Sequence, residues 1–216
     1  MITSPARLDP GPMKDGDLEL VTPSESLLDE LMTSLAHPLT QQLMPELATV
    51  PRQQWTDFLA KAPNGFDPGN EDAGIVPAYY FWMRRTGIGG SSAGAADSYN
   101  PKILGSIGLR IGNNANVQQI IGHIGYNVYP FARGRHYAER SCRLLLPLAR
   151  RHGLGPLWIT CNPDNLASRR TCERLGATLV DNVPIPADHP LYARGERFKC
   201  RYRVPLNPSP GTPGEG

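Results

Sequence analysis

The stretch that most constrains this chain is 123–153, where the spacing of apolar residues changes once. HIGYNVY at 123–129 reads as a strand, with Ile124, Tyr126 and Val128 in alternation. Pro130 stops it. Beyond Arg133-Gly134-Arg135-His136, one helical face carries Tyr137, Ala138, Ser141, Cys142, Leu145, Leu148 and Ala149, and Gly153 offers a C-terminal cap. Pro147 inside that helix removes a backbone hydrogen bond and predicts a kink in the last turn. LWITC at 157–161 follows as a short apolar strand. Strand, helix and strand in this order pack as an α/β unit, with the second strand expected parallel to the first because a helix joins them.

The remaining elements extend the same class. A strand is expected at 18–21, then a helix at 27–37 that Ser26 can cap, with Leu28, Leu31, Met32 and Leu35 in one stripe. Residues 38–74 carry Pro38, Pro45, Pro51, Pro63 and Pro68, which leave room only for short helices such as 52–61. AYYFWMRR at 78–85 and ILGSIGLRI at 103–111 are strands, with a turn at 113–117, so that with 123–129 they form an antiparallel meander. The Gly/Ser/Ala-rich connector 86–101 predicts a mobile hairpin loop. A helix at 165–175 ends at Gly176, and strands at 178–181 and 198–204 complete a mixed, mostly antiparallel sheet of six to seven strands with helices on both faces. The 216 residues suit one domain, 15–206, between Pro/Gly/Ser-rich tails at 1–14 and 207–216 that are expected to be disordered.

Several function classes drop out. No run approaches ~20 apolar residues, so no membrane span is expected. Residues 1–17 lack the apolar core of a signal peptide. The four cysteines, Cys142, Cys161, Cys172 and Cys200, form no CxxC pair and have no histidine at zinc spacing, so they read as reduced thiols of a cytoplasmic protein without a metal. A net charge of +2 argues against a dedicated nucleic-acid binder. The aromatic run Tyr79-Tyr80-Phe81-Trp82 reads as sheet core rather than a base-stacking platform, since alternation puts only half of it on either face.

That small net charge conceals an asymmetry. Residues 1–76 hold twelve Asp/Glu against four Lys/Arg, whereas 131–175 hold nine Arg against three acids. The basic block coincides with the predicted helix start. Backbone N–H groups there converge and carry partial positive charge, Arg133 and Arg135 add formal charge, and Gly134 lets an anion approach the main chain. Neither a GxxxxGK[ST] loop nor a GxGxxG fingerprint is present, so another kind of phosphate-bearing ligand is indicated.

Here the chain resembles a known family. Gly122-His123-Ile124-Gly125-Tyr126 through Arg133-Gly134-Arg135-His136-Tyr137-Ala138 is similar to motif A of the GNAT acyl-CoA N-acyltransferases, a strand followed by Gln/Arg-x-x-Gly-x-Gly/Ala at a helix start. About thirty residues later, Asn165-Leu166-Ala167-Ser168 followed by Cys172-Glu173-Arg174-Leu175-Gly176-Ala177 resembles motif B. The resemblance covers about 76–204. It is strongest to bacterial acetyltransferases in which GHIGY, a Thr-Cys strand end (Thr160-Cys161) and a DN-x-ASR run (Asp164 to Arg169) occur together.

The resemblance implies a GNAT fold and direct transfer of acetyl from acetyl-CoA to a primary amine. Backbone groups of Tyr126, Asn127 and Val128 would pair with the pantetheine arm, and Val128 N–H would polarise the thioester carbonyl. Arg133, Gly134, Arg135, His136, Tyr137 and Ala138 would hold the pyrophosphate, and Asn165 and Ser168 would line the arm, although Asn165 also suits a helix cap. Arg169 or Arg170 would reach a phosphate. His123 is the candidate general base, against the alternative of a histidine bonded on a sheet face. Cys172 stands where relatives carry a tyrosine that protonates the leaving thiolate, and otherwise reads as a buried helix cysteine; Tyr137 is a possible substitute. His136 replaces the usual glycine of the loop. A helical φ is expected there, and a positive one would impair CoA binding.

The acidic residues of 1–76 favour a cationic acceptor, a small amine first and a protein amine second, with dimerisation through an edge strand as a further expectation. The alternative is a catalytically weak CoA-binding sensor or partner-binding module on the same fold.

Overall fold

The computed structural model describes residues 5–87 and 101–206. The tail 207–216, residues 1–4 and most of the connector 86–101 lie outside them. In chain order the elements are β1 (Lys14–Asp15), β2 (Leu18–Val21), α1 (Leu28–Leu35), α2 (Pro38–Leu43), α3 (Pro45–Ala48), α4 (Arg52–Lys61), β3 (Phe66–Asp67), β4 (Ala78–Arg85), β5 (Ile103–Arg110), β6 (Ile124–Val128), α5 (Tyr137–Arg151), β7 (Leu157–Cys161), α6 (Leu166–Arg174), β8 (Thr178–Pro184), α7 (Pro190–Ala193) and β9 (Phe198–Val204). This is the mixed α/β architecture expected. Its strands form a six-stranded sheet, ordered β1-β2-β4-β5-β6 with β3 also on β4, and a three-stranded sheet ordered β7-β9-β8.

Alternation along β4 explains the layering. Tyr79, Phe81 and Met83 face α5 and join a core that runs through β2, β5, β7, α6 and β9. Trp82 faces the other way and packs with Leu28, Leu31 and Leu35 of α1, while Trp55 and Leu59 of α4 flank that second cluster. The helix α5 buries the apolar stripe read from the sequence and continues through Pro147 to Arg151. The basic and acidic blocks meet in places: Arg140 pairs with Asp15 and Asp17, and Arg84 forks onto Glu30 at 2.7–2.8 Å.

Three expectations change. Residues 8–13, assigned to an untethered tail, are anchored: Tyr79 Oη accepts from Leu8 N–H at 2.6 Å, Leu20 N–H donates to Met13 O, and Met13 is buried. The turn placed at 113–117 runs on into a π-helical turn, Val117–Ile121, that buries Val117 and Ile120. Finally, β7 is laddered antiparallel to β9, and among the described residues it forms no ladder with β6. At the starts of β6 and β7, His123 N–H donates to Trp158 O at 2.6 Å. Trp158 N–H in turn donates to the imidazole Nδ1 of His123 at 3.0 Å, so His123 holds both main-chain groups of Trp158.

Candidate active site

Beyond that contact β6 and β7 line a cleft of about 820 Å³, closed by the start of α5 and by α6. β6 is the last strand of its sheet. Its inner side is used: Arg110 N–H donates to His123 O and Tyr129 N–H to Leu104 O. Successive residues alternate, so the N–H and C=O groups of Ile124, Tyr126 and Val128 point to the open edge. The structure thus gives Val128 an outward N–H, while its C=O accepts from Arg133 Nε at 3.1 Å.

Of the residues assigned to ligand binding, Tyr126, Asn127, Val128, Arg133, Gly134, His136, Tyr137, Ala138, Asn165 and Ser168 all border the cleft, and Arg135 does not. The start of α5 has no side-chain cap, so its first N–H groups remain available to an anion. Glu139, the acid in that first turn, is neutralised by Arg143 at 3.0 Å and faces His136 Nδ1 at 3.7 Å. Arg170 and Arg174 of α6 add positive charge. Arg169 is turned away, onto Tyr202 Oη at 3.3 Å and Pro163 O at 3.2 Å. Asn165 is the cap of α6, its Oδ1 accepting from Ser168 N–H at 3.1 Å, and it borders the cleft as well.

The expectation for His136 is overturned. Its φ is +59° and its ψ +18°, a left-handed conformation and not a helical one. The loop needs this turn to lead into α5, and a histidine holds it at a cost of roughly 1–2 kcal/mol. The ring leans toward Glu139 on the first turn and leaves the helix end uncapped.

Two catalytic candidates are displaced from the cleft. His123 is fully buried, and both ring nitrogens are engaged: Nδ1 accepts from Trp158, so Nε2 carries the proton and donates to Asn113 Oδ1 at 3.1 Å. Burial first, and the nearby Arg110 charge, lower its pKa to about 4. A ring with no free lone pair and no access to the cleft cannot take a proton from an amine there. Cys172 is equally buried, and burial raises its thiol to about 12, so it packs the core beside Cys161 and does not reach a leaving group. Tyr137 is no substitute, since its hydroxyl donates to Asp17 Oδ2 at 2.7 Å on the far side.

What residue reading missed is a hydroxyl pair. Tyr126 Oη and Ser168 Oγ lie 2.8 Å apart across the cleft, and burial pushes the phenol well above its ordinary range, so it stays protonated. Each residue was visible singly; their contact depends on how α6 docks on β6. Lys199, on Asn162 Oδ1 at 2.7 Å and paired with Glu196, borders the same cleft and carries no local motif.

A family profile described as an acetyltransferase (GNAT) domain matches residues 17–178. The chain belongs to the GNAT acetyltransferases. Solved structures share the fold of this GNAT enzyme at low identity. The microcin C7 self-immunity acetyltransferase, solved with acetyl-CoA and AMP, is 16% identical with a TM-score of 0.58, covering 88% of this chain and 93% of its own. A GCN5-related N-acetyltransferase from Brucella melitensis is 17% identical with a TM-score of 0.60, covering 93% and 81%. The ribosomal L7/L12 alpha-N-protein acetyltransferase bound to coenzyme A is 15% identical with a TM-score of 0.57, covering 89% and 96%. No curated protein matches the sequence. The GNAT motifs read at 122–138 and 165–177 both lie inside the matched region, and they wall the cleft from its two sides.

Proposed function

We propose that this GNAT enzyme transfers an acetyl group from acetyl-CoA directly to the primary amine of a small molecule. The observation that carries the reading is the unpaired edge of β6, which opens onto a cleft ending at an uncapped, basic helix start. An extended pantetheine arm can add to that edge as a strand would, with its pyrophosphate at the N–H groups of α5. Arg133 and Arg170 supply charge, and Gly134 close approach. Val128 N–H sits to polarise the thioester carbonyl. Ser168 Oγ, backed by the Tyr126 hydroxyl, donates the proton that the departing thiolate needs. The amine enters as the free base. A smaller cavity on the other face of the sheet at β6 has neither carboxylate nor imidazole in its lining, so the amine's proton passes to water.

Isothermal titration with acetyl-CoA and with free CoA tests this first. Micromolar binding is expected for both, followed by thiol release when an amine is supplied. Absence of binding would overturn the reading. CoA binding with no transfer to any amine would leave the sensor or partner-binding alternative, which the left-handed His136 and the buried Cys172 favour.

A further inference from the structure

A second cavity, of about 250 Å³, lies on the face of the six-stranded sheet opposite α5 and shares Gly125, Tyr126 and Asn127 with the cleft. Register explains why it is hollow. Gly108 pairs with Gly125 on one side and with Tyr80 on the other, so two neighbouring strands present no side chain at its floor. Trp55 and Phe58 of α4 border it opposite, with Phe58 edge-on to Tyr80 at 5.3 Å.

Among the described residues that line it, Arg110 is the one charged group, beside the neutral Tyr80, Ser106 and Asn127. Arg110 stretches its guanidinium over the floor, where a Cβ on Gly125 would stand 3.4 Å from Nη1. Nη1 is fixed by the carbonyls of Ile121 and Gly122 at 3.2 and 3.1 Å. Nε and Nη2 meet no acceptor, and no carboxylate lies within ion-pair distance among the described residues. The carboxylate in the same cross-strand row, Asp67, stands two strands away, roughly 10 Å. The indole N–H of Trp55 is likewise buried without a partner. A half-buried guanidinium that faces a cavity with donors unpaired is incomplete without an anion. Meanwhile four of the twelve N-terminal acids that suggested a cationic acceptor are committed elsewhere: Glu30 to Arg84 and Lys102, Asp15 and Asp17 to Arg140, Asp29 to Arg52.

We infer that the acceptor is a primary amine carried on an aromatic ring that also bears a carboxylate, its ring between Trp55, Phe58 and Tyr80 and its carboxylate on Arg110. This rests on the acetyltransferase reading and names its substrate class. Spacing refines it. Arg110 lies over Gly125, and Val128 N–H is three residues along the strand, roughly 10 Å. Amine and carboxylate therefore sit at opposite ends of the ring, as in 4-(aminomethyl)benzoate, rather than on one carbon. In the transfer the amine nitrogen bonds to the acetyl carbon as the carbon–sulfur bond breaks, giving the amide and the free thiol.

The test measures thiol release from acetyl-CoA with 4-(aminomethyl)benzoate, its neutral carboxamide, benzylamine and phenylalanine. We expect kcat/KM for the first to exceed the other three by at least about tenfold, the weight of a charged hydrogen bond. Arg110→Gln should erase that advantage. Because Arg110 also braces two carbonyls, the wild-type protein supplies an independent arm: 4-methylbenzoate, which has no amine, should compete with the substrate, and 4-methylbenzamide should not. Equal rates for the acid and the amide, or equal competition, would overturn the inference while leaving acetyl transfer intact. Failure of acetyl-CoA to bind at all would instead overturn the reading beneath it.

Discussion

The two ends of the contact between β6 and β7 behave in opposite ways. At the start, His123 bridges both sheets with bonds of 2.6–3.1 Å, and Thr160 Oγ1 adds one to Ile120 O at 2.7 Å. At the far end no ladder forms among the described residues, and the hydroxyl pair of Tyr126 and Ser168 joins β6 to α6. The difference teaches that the cleft is built by stopping a sheet early. His123 ties the strands together at one end and no ladder follows among the described residues, so stability concentrates at one end and ligand-binding capacity at the other.

The closed end should break hardest. His123→Ala leaves the Trp158 N–H and the Asn113 amide without partners in a buried site, and we expect a loss of about 3–5 kcal/mol in urea unfolding. A loss below about 1 kcal/mol would show that the bridge is incidental. Acid should act on the same residue. The folded chain holds His123 neutral to about pH 4, whereas the unfolded chain takes up its proton near 6.5, so this contribution is complete above 6.5 and is lost as pH falls toward 4. The shift corresponds to roughly 3 kcal/mol, checked by the imidazole titration in NMR alongside stability at each pH.

The open end should respond in ligand binding. Arg133→Ala is expected to weaken acetyl-CoA by about 1.5–3 kcal/mol in titration with little change in the unfolding midpoint. An unchanged dissociation constant would remove Arg133 from the phosphate site. The smallest effect is expected at His136→Gly. Relief of the left-handed strain, about 1–2 kcal/mol, exceeds the added chain entropy of about 0.5–1 kcal/mol, so the midpoint should rise slightly and acetyl-CoA should still bind.

Local pattern made much of this fold legible. The bounds of α4, β4 and β9 follow from residue type and flanking proline or glycine, and the stripe of α5 follows from its period. What stayed hidden depends on pairing between distant segments. Whether His123 serves as a base or as a bridge is decided by Asn113 and Trp158, ten and thirty-five residues away. The φ of His136 comes from the path between Pro130 and α5, and the residue alone does not report it. Gly108 and Gly125 are ordinary strand glycines until register sets them side by side. Arg110 gives no motif for the same reason.

Because β6 is five residues long and serves as the wall of both cavities, each ligand would press on the same short piece of backbone. Any displacement of that wall that one ligand favours is inherited by the other, and reciprocity makes the factor identical in both directions. Acetyl-CoA and acceptor are then communicating ligands, and the order in which they arrive alters the kinetics but not the strength with which the pair is finally held.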